Sequence, residues 1–506
     1  MKVDQVLFDY DDTNEKSIVD YAKKLENMTF REILKEYNAS AQKEYVNKNT
    51  NLYNYNFHTS RKVRDSVPGY IHNTNAKGQL GGFIEKYYFG YDPNSRQDAD
   101  FDKVGIEVKQ TPIDITTKGE MRAGERLSIT NISYRNPVED DFYKSHLWDK
   151  IKKILLVQYL RDKSKDRMDY EIKYVNLFSP PKRDLDIIKA DYAKINSKIK
   201  AGLAHEISEG DTFYLGACTK GASAAKSLQP QYYGDHILAK KRNFCFKQSY
   251  MNYILQNYVL KDNVPCESII GDESLENTSF EEFIINKINS YQGKSDKELC
   301  ILFNREYNNN KAQWIDLTYR MLGIKSNRAE EFEKANIVAK AIRIETNGKI
   351  RENMSFPPFK FKELVKETWE SSTIYNYFES TKLLFVVFES DGEKYVLKGA
   401  QLWNMPISDL EGTVKEEWTE IRNAIQNGII FEHNFNIPVK NNLPKIKYSK
   451  ILHVRPHAAK AAYSLKDGFK YGDIQKDANE LPDGQWMTTQ SFWLNNDYIL
   501  SQLEMK

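Results

Sequence analysis

Asp100, Glu107 and Lys109 are the residues of this chain whose types and spacing point most directly to chemistry, within Gln97–Pro112 (QDADFDKVGIEVKQTP). Val104, Ile106 and Val108 alternate with Glu107 and Lys109, the pattern of a β-strand. Residues two apart share a strand face, so Glu107 and Lys109 point together while Ile106 and Val108 point the other way. Asp100 precedes the strand by one short turn and can converge on the same face. Carboxylates so placed repel each other unless a cation lies between them, and hard oxygen donors suit Mg²⁺. The ammonium beside them can orient or deprotonate a water, or neutralise charge building on a phosphate. The chemistry this spacing suggests is metal-assisted hydrolysis. Just upstream, GQLGGFIEKYYFG has helical apolar spacing and carries one acid, Glu85.

The run from Gly78 to Pro112 resembles the core of the MutH mismatch-repair nickases and their restriction-endonuclease relatives. That resemblance implies a helix glutamate, an aspartate and an E-x-K strand around Mg²⁺, and cleavage beside G in GATC. Carried over position by position, Glu85, Asp100, Glu107 and Lys109 form the active-site set, with Asp100, Glu107 and Glu85 toward the metal. One departure is Ala99, where the wider nuclease superfamily often has proline; proline there shapes a turn and holds no metal. Ser145–Leu160 resembles the family segment S-H-x-x-x-K, which adds Lys150 to the catalytic set. Gly210–Leu228 resembles the segment carrying a groove-reading lysine, so Lys220, with Thr219 beside it, is expected at base edges.

The rest of the chain must position these groups. Its 506 residues suggest more than one domain, and 40% hydrophobic with 13% aromatic content argues for folded cores. A net charge of +2 announces no nucleic-acid binder in bulk, so any basic surface must be local. Cys218, Cys245, Cys266 and Cys300 lack metal-ligand spacing and read as free thiols. No apolar run approaches a membrane span and the amino terminus is too acidic for a signal peptide, so a soluble cytoplasmic protein is expected.

Residues 1 to about 28 read as helix, with Asp4 or Asp11 as caps. Thr29 with Glu32 forms a capping-box pattern before a helical run. Asn38 to Asn75 is polar and reads as loop and short helix. Gly124–Tyr134 alternates as a strand, and residues 187–202 form a helix ended by Gly202. Lys240, Lys241 and Arg242 suit phosphate contact, and Lys247 with Gln248 could face a groove. The turn around Pro265 marks a boundary.

The second half repeats the first. Phe101–Lys109 aligns without gaps on Phe332–Lys340, which places Glu85 on Asp316 and Asp100 on Glu331. Asp191–Gly202 matches Glu417–Gly428, Tyr214–Leu228 matches Ile451–Leu465, and Phe246–Met251 matches Thr488–Trp493. Glu107 becomes Val338, and Lys150 becomes Tyr377. A valine donates no electron pair, so the copy reads as inert although Lys340, Glu331 and Asp316 remain. Arg455, His457 and Gln490 keep polar groove-reading character.

The expected architecture is α/β (α+β), as two tandem MutH-like restriction-endonuclease-fold domains, each a central mixed sheet flanked by helices. Residues 1–262 are expected to be catalytic and 263–506 to be a degenerate, DNA-binding effector. The duplication resembles the two-domain type II restriction endonucleases that cut GATC, in which the second domain binds a second DNA copy. The resulting expectation is a Mg²⁺-dependent type II site-specific deoxyribonuclease acting on double-stranded DNA. It would be a monomer in isolation, and one active site per chain leaves open pairing of two chains on DNA or sequential cutting. The alternatives are a methyl-directed nicking endonuclease of DNA repair and an inactive sequence-specific DNA-binding regulator. Methylation sensitivity, cut position and the number of metal ions are not legible in these residues.

Overall fold

A computed structural model of the chain describes residues 9–50 (backbone alone over 41–50), 80–91, 98–116, 118–219, 227–235, 237–261, 266–271, 275, 278–308, 310–325, 328–351, 353–434 and 437–505. It divides into two compact units, Met1–Gly202 with Tyr214–Val264, and Leu203–Phe213 with Pro265–Lys506. The boundary therefore differs from a single cut near residue 262. Leu203–Phe213 folds with the carboxy-terminal unit because Phe213 meets Phe280 edge-on at 5.0 Å, with the Lys382 ammonium 5.1 Å from the Phe213 ring.

In the amino-terminal unit, α1 (Glu15–Lys23) is capped by Asn14, not by an aspartate, its side chain accepting from Ser17 N–H. Thr29 and Glu32 make the reciprocal bonds of a capping box, at 2.8 and 3.2 Å, ahead of α2 (Phe30–Thr50). That helix runs on through residues expected to be loop. The short α3 (Phe83–Tyr87) carries Glu85 and starts at Gly82, whose φ of 76° suits glycine. The main sheet comprises β1 (Glu107–Ile115), β2 (Met121–Ala123), β4 (Ile154–Leu160) and β5 (Glu171–Phe178), in the order β2-β1-β4-β5. Only β1 and β4 are parallel, joined through α4 (His146–Ile151). Ile106 and Val108 sink into a core with Ile84, Phe101, Leu155 and Val157, which turns Glu107 and Lys109 to the opposite face. A second sheet sets Arg242–Phe246 between β3 (Leu127–Asn131) and β6 (Leu215–Thr219), all antiparallel.

The carboxy-terminal unit repeats both sheets. Ile337–Ile344 runs parallel to Lys382–Ser390, which pairs antiparallel with Tyr395–Trp403. Gln490–Leu494 lies between Met354–Phe359 and Leu452–Pro456. One buried device recurs in both units. Asp191, on α5 (Lys182–Lys200), accepts Tyr214 N–H at 2.7 Å and Leu215 N–H at 2.9 Å, pinning the start of β6. Glu417, its match in the repeat, accepts Lys450 N–H at 2.5 Å and Leu452 N–H at 2.6 Å at the start of the corresponding strand. Asp191→Ala strands two buried donors, each costing about 1–3 kcal/mol, so a melt of the full chain should show a loss of roughly 2–5 kcal/mol. Unchanged stability would remove this acid from the fold's framework.

The repeat needs one correction. Phe246 lies opposite Leu215, whereas Leu494 lies opposite Leu452, so Phe246 corresponds to Leu494 and Arg242 to Gln490. The likeness of Phe246–Met251 to Thr488–Trp493 is a coincidence of letters, out of register with the sheets.

Candidate active site

Glu107 begins β1 and is buried. Its Oε1 receives Lys109 Nζ at 2.5 Å and its Oε2 receives Lys150 Nζ at 2.8 Å. The Asp100 backbone N–H also reaches Oε2, at 3.3 Å. Asp100 lies in the turn where Phe101 pairs back on Ile106, and its Oδ2 accepts Val108 N–H at 2.9 Å. The strand and the turn thus hold the two acids through backbone groups as well as side chains.

Lys150 reaches the same spot from α4. Ser145 caps that helix by accepting Trp148 N–H at 3.2 Å, and this short helix carries the buried Lys150 inward. Its ammonium bonds the Asp98 carbonyl as well as Glu107. The S-H-x-x-x-K spacing is therefore a cap followed by a lysine aimed at β1. Asp98 acts through its backbone, so no residue type in the sequence could have signalled it.

Glu85 is partly buried and makes no hydrogen bond or ion pair among the described residues. Burial, then the negative charges of Asp100 and Glu107, push its carboxyl up to about 7 against the pull of Lys109. Burial and then Glu107 push Asp100 up to about 6. The Tyr91 phenol, missed in the sequence, lies in the same field: burial and then Asp100 hold it far above its ordinary range, and its buried oxygen has no partner. All five expected catalytic side chains, Glu85, Asp100, Glu107, Lys109 and Lys150, are thus within electrostatic reach of one another.

Among the described residues, no three His, Cys, Asp or Glu side chains are drawn close enough to hold a metal ion unaided. The lysines explain this, since both Glu107 oxygens are turned to ammonium groups. The donor set still fits a hard cation. Asp100 Oδ1 and the Glu85 carboxyl are uncommitted, and such ions complete their shells with water and phosphate oxygens.

The expected DNA contacts fare differently. Lys220 lies outside the described residues. Thr219 closes β6, half-buried. Arg242 and Lys247 are buried, correcting their assignment to the surface: Arg242 Nη1 donates to the Ala217 carbonyl at 2.6 Å, and Lys247 starts the helix Gln248–Ile254. Gln248 Nε2 donates to the Ala123 carbonyl at 2.9 Å, tying that helix to β2. In the second unit Arg455 and His457 are exposed and share Trp493, the guanidinium 5.3 Å and the imidazole 5.8 Å from its ring. Gln490 is buried instead, its Nε2 bonded to the Thr488 carbonyl at 2.9 Å.

The second unit's copy of the cluster is dispersed. Glu331 accepts Ile269 N–H at 2.9 Å and the Ser268 hydroxyl at 2.6 Å, and Asp316 accepts Arg305 at 2.5 Å and Arg320 at 2.9 Å. Tyr377 packs edge-on against Phe356 at 5.1 Å. The retained acids have become framework, which adds to the loss of Glu107's counterpart.

The family model described as DNA mismatch repair enzyme MutH matches residues 89–191, which include Asp100, Glu107, Lys109 and Lys150. The chain is 34% identical over 467 residues to the type II restriction enzyme Sau3AI of Staphylococcus aureus, covering 85% of this chain and 93% of that enzyme. It is 24% identical over 187 residues to the DNA mismatch repair protein MutH of Citrobacter koseri, covering 36% of this chain and 78% of that protein. The MutH of Vibrio cholerae is 26% identical over 188 residues, covering 36% and 80%.

Proposed function

Because the chain belongs to the MutH-related type II restriction endonucleases, we propose that it hydrolyses double-stranded DNA at GATC with Mg²⁺, using the amino-terminal unit alone for chemistry. The observation that carries this reading is Glu107, held between Lys109 and Lys150 beside the uncommitted acids Glu85 and Asp100. Asp100 and Glu107 are the proposed metal ligands, and Glu85 takes a second ion or orients the lysine. A bound Mg²⁺ would draw charge from the scissile phosphate and acidify a water. Lys109 Nζ then turns from Glu107 to that water, positioning it or assisting loss of its proton. Lys150 Nζ lies buried on the same carboxylate and supports the negative charge that gathers on the phosphorane. The apolar residues behind β1 keep the strand from yielding as these charges shift.

In this reading the carboxy-terminal unit binds a second duplex through the exposed Arg455 and His457 and stimulates cleavage. The chain is a cytoplasmic monomer that pairs on DNA to cut both strands; no helix of the described residues is long and apolar enough to cross a membrane. Incubating plasmid with Mg²⁺ is the direct test. Linear fragments ending at GATC support the reading, nicked circles favour a repair nickase, and intact plasmid overturns it. Lys220→Ala should lower discrimination between GATC and near-cognate sites by about 5- to 150-fold, the ~1–3 kcal/mol of a base-edge contact. The salt slope of binding should change little. Unaltered site preference would take Lys220 out of recognition.

A further inference from the structure

In the carboxy-terminal unit the strand Ile337–Ile344 repeats β1, and Lys340 occupies the place of Lys109. Lys109 has Glu107 at 2.5 Å. Lys340 has Val338 there instead, and no described side chain hydrogen-bonds or ion-pairs with it. It lines a cleft of about 220 Å³ together with Lys311, Trp314, Arg343, Asn353 and Ser355. No described carboxylate lines that cleft, because Glu331 is spent on Ile269 and Ser268 and Asp316 on Arg305 and Arg320. Asn353 and Ser355 make no side-chain hydrogen bonds to described residues. Arg343 is held in place by stacking, its guanidinium 5.0 Å from the Trp314 ring and 5.7 Å from the Tyr395 ring.

Duplication followed by loss of Glu107's equivalent has therefore reversed the sign of this cleft. In the first unit, acids need a metal before a phosphate can approach. In the second, an ammonium, neutral donors and two further cations face an acid-free recess. We propose that this cleft binds a phosphate group directly, without a metal, and that its occupant in the working enzyme is a backbone phosphodiester of the second duplex. The identity of the occupant rests on the effector reading above; the phosphate site itself does not. Half-burial without a counter-charge holds the Lys340 ammonium below its ordinary pKa, a cost that an arriving anion removes.

The test uses the full chain in EDTA, where the first unit's metal-free acids repel anions. Inorganic phosphate is titrated and followed by ³¹P NMR, and a labelled GATC duplex is titrated at several salt concentrations by anisotropy. Wild type should bind one phosphate per chain; Lys340→Met should weaken it about tenfold or more, and Lys340→Arg should keep most of it. For the second duplex bound per chain, the slope of log K against log salt should fall by about 0.9 in Lys340→Met, one phosphate contact fewer. Loss of both readouts supports a DNA phosphodiester. Loss of phosphate binding with an unchanged duplex slope keeps the anion site but overturns the duplex as its source. A folded Lys340→Met chain that binds phosphate as wild type does overturns the site. Should wild type bind only one duplex, the effector reading fails, and the phosphate titration still decides the cleft.

Discussion

Replacing Glu107 by glutamine should cut the rate of DNA cleavage by about a thousandfold or more while leaving duplex binding in EDTA intact or slightly tighter. Glu107 is the joint partner of both lysines and of the Asp100 N–H, so one substitution disturbs every member of the site except Glu85. An amide keeps the size but carries no charge, and its NH₂ would turn a donor toward an ammonium. Lys109 then has no carboxylate to be displaced from, and the proposed metal loses an anionic ligand. Binding should hold because the change removes a negative charge from a surface that meets phosphates. Glutamine is chosen over alanine because an empty position would leave Lys150 buried with only the Asp98 carbonyl, at a cost of about 3–5 kcal/mol. Cleavage within tenfold of wild type, or a lost gel shift in EDTA, would each contradict the assignment.

How much of this was legible in the letters depends on how local the cause is. The β1 strand was readable because Ile106 and Val108 must enter one core while Glu107 and Lys109 leave it, a period of two. The Thr29–Glu32 cap was readable because all its partners lie within four residues. Arg242 and Lys247 were misread as surface cations because what buries them, in Arg242's case the Ala217 carbonyl, comes from a remote strand. The same limit applies to Glu331 and Asp316. Their identities survive in the repeat, but Ile269, Ser268, Arg305 and Arg320 decide what those acids do. Asp191 and Glu417 give the converse: a matched pair of acids doing one job in both units, though the sequence marked them only as part of a matched helix. Composition misled over Asn38–Thr50, where Asn- and Lys-rich text continues a helix already nucleated at Thr29.

Lys150→Met separates a lysine that serves the reaction from one that merely fills the core. Its ammonium bridges Glu107 Oε2 and the Asp98 carbonyl, so the cation fixes the carboxylate and the turn that presents Asp100. A methionine fills the buried volume without the charge, and turnover should fall by about 10²–10⁴-fold. Removing a positive charge from beside the acids also lessens its repulsion of a divalent ion. The Mg²⁺ concentration for half-maximal cleavage should therefore fall, the reverse of what Glu107→Gln produces. Lys150→Arg should recover only part of the rate, since a planar guanidinium does not place its donors where one compact ammonium meets both oxygens. A purely structural lysine predicts something else: lower stability with an unchanged Mg²⁺ requirement. If Lys150→Met raises that requirement as Glu107→Gln does, the charge on Lys150 is part of the metal's own support, and its proposed action on the phosphorane is wrong.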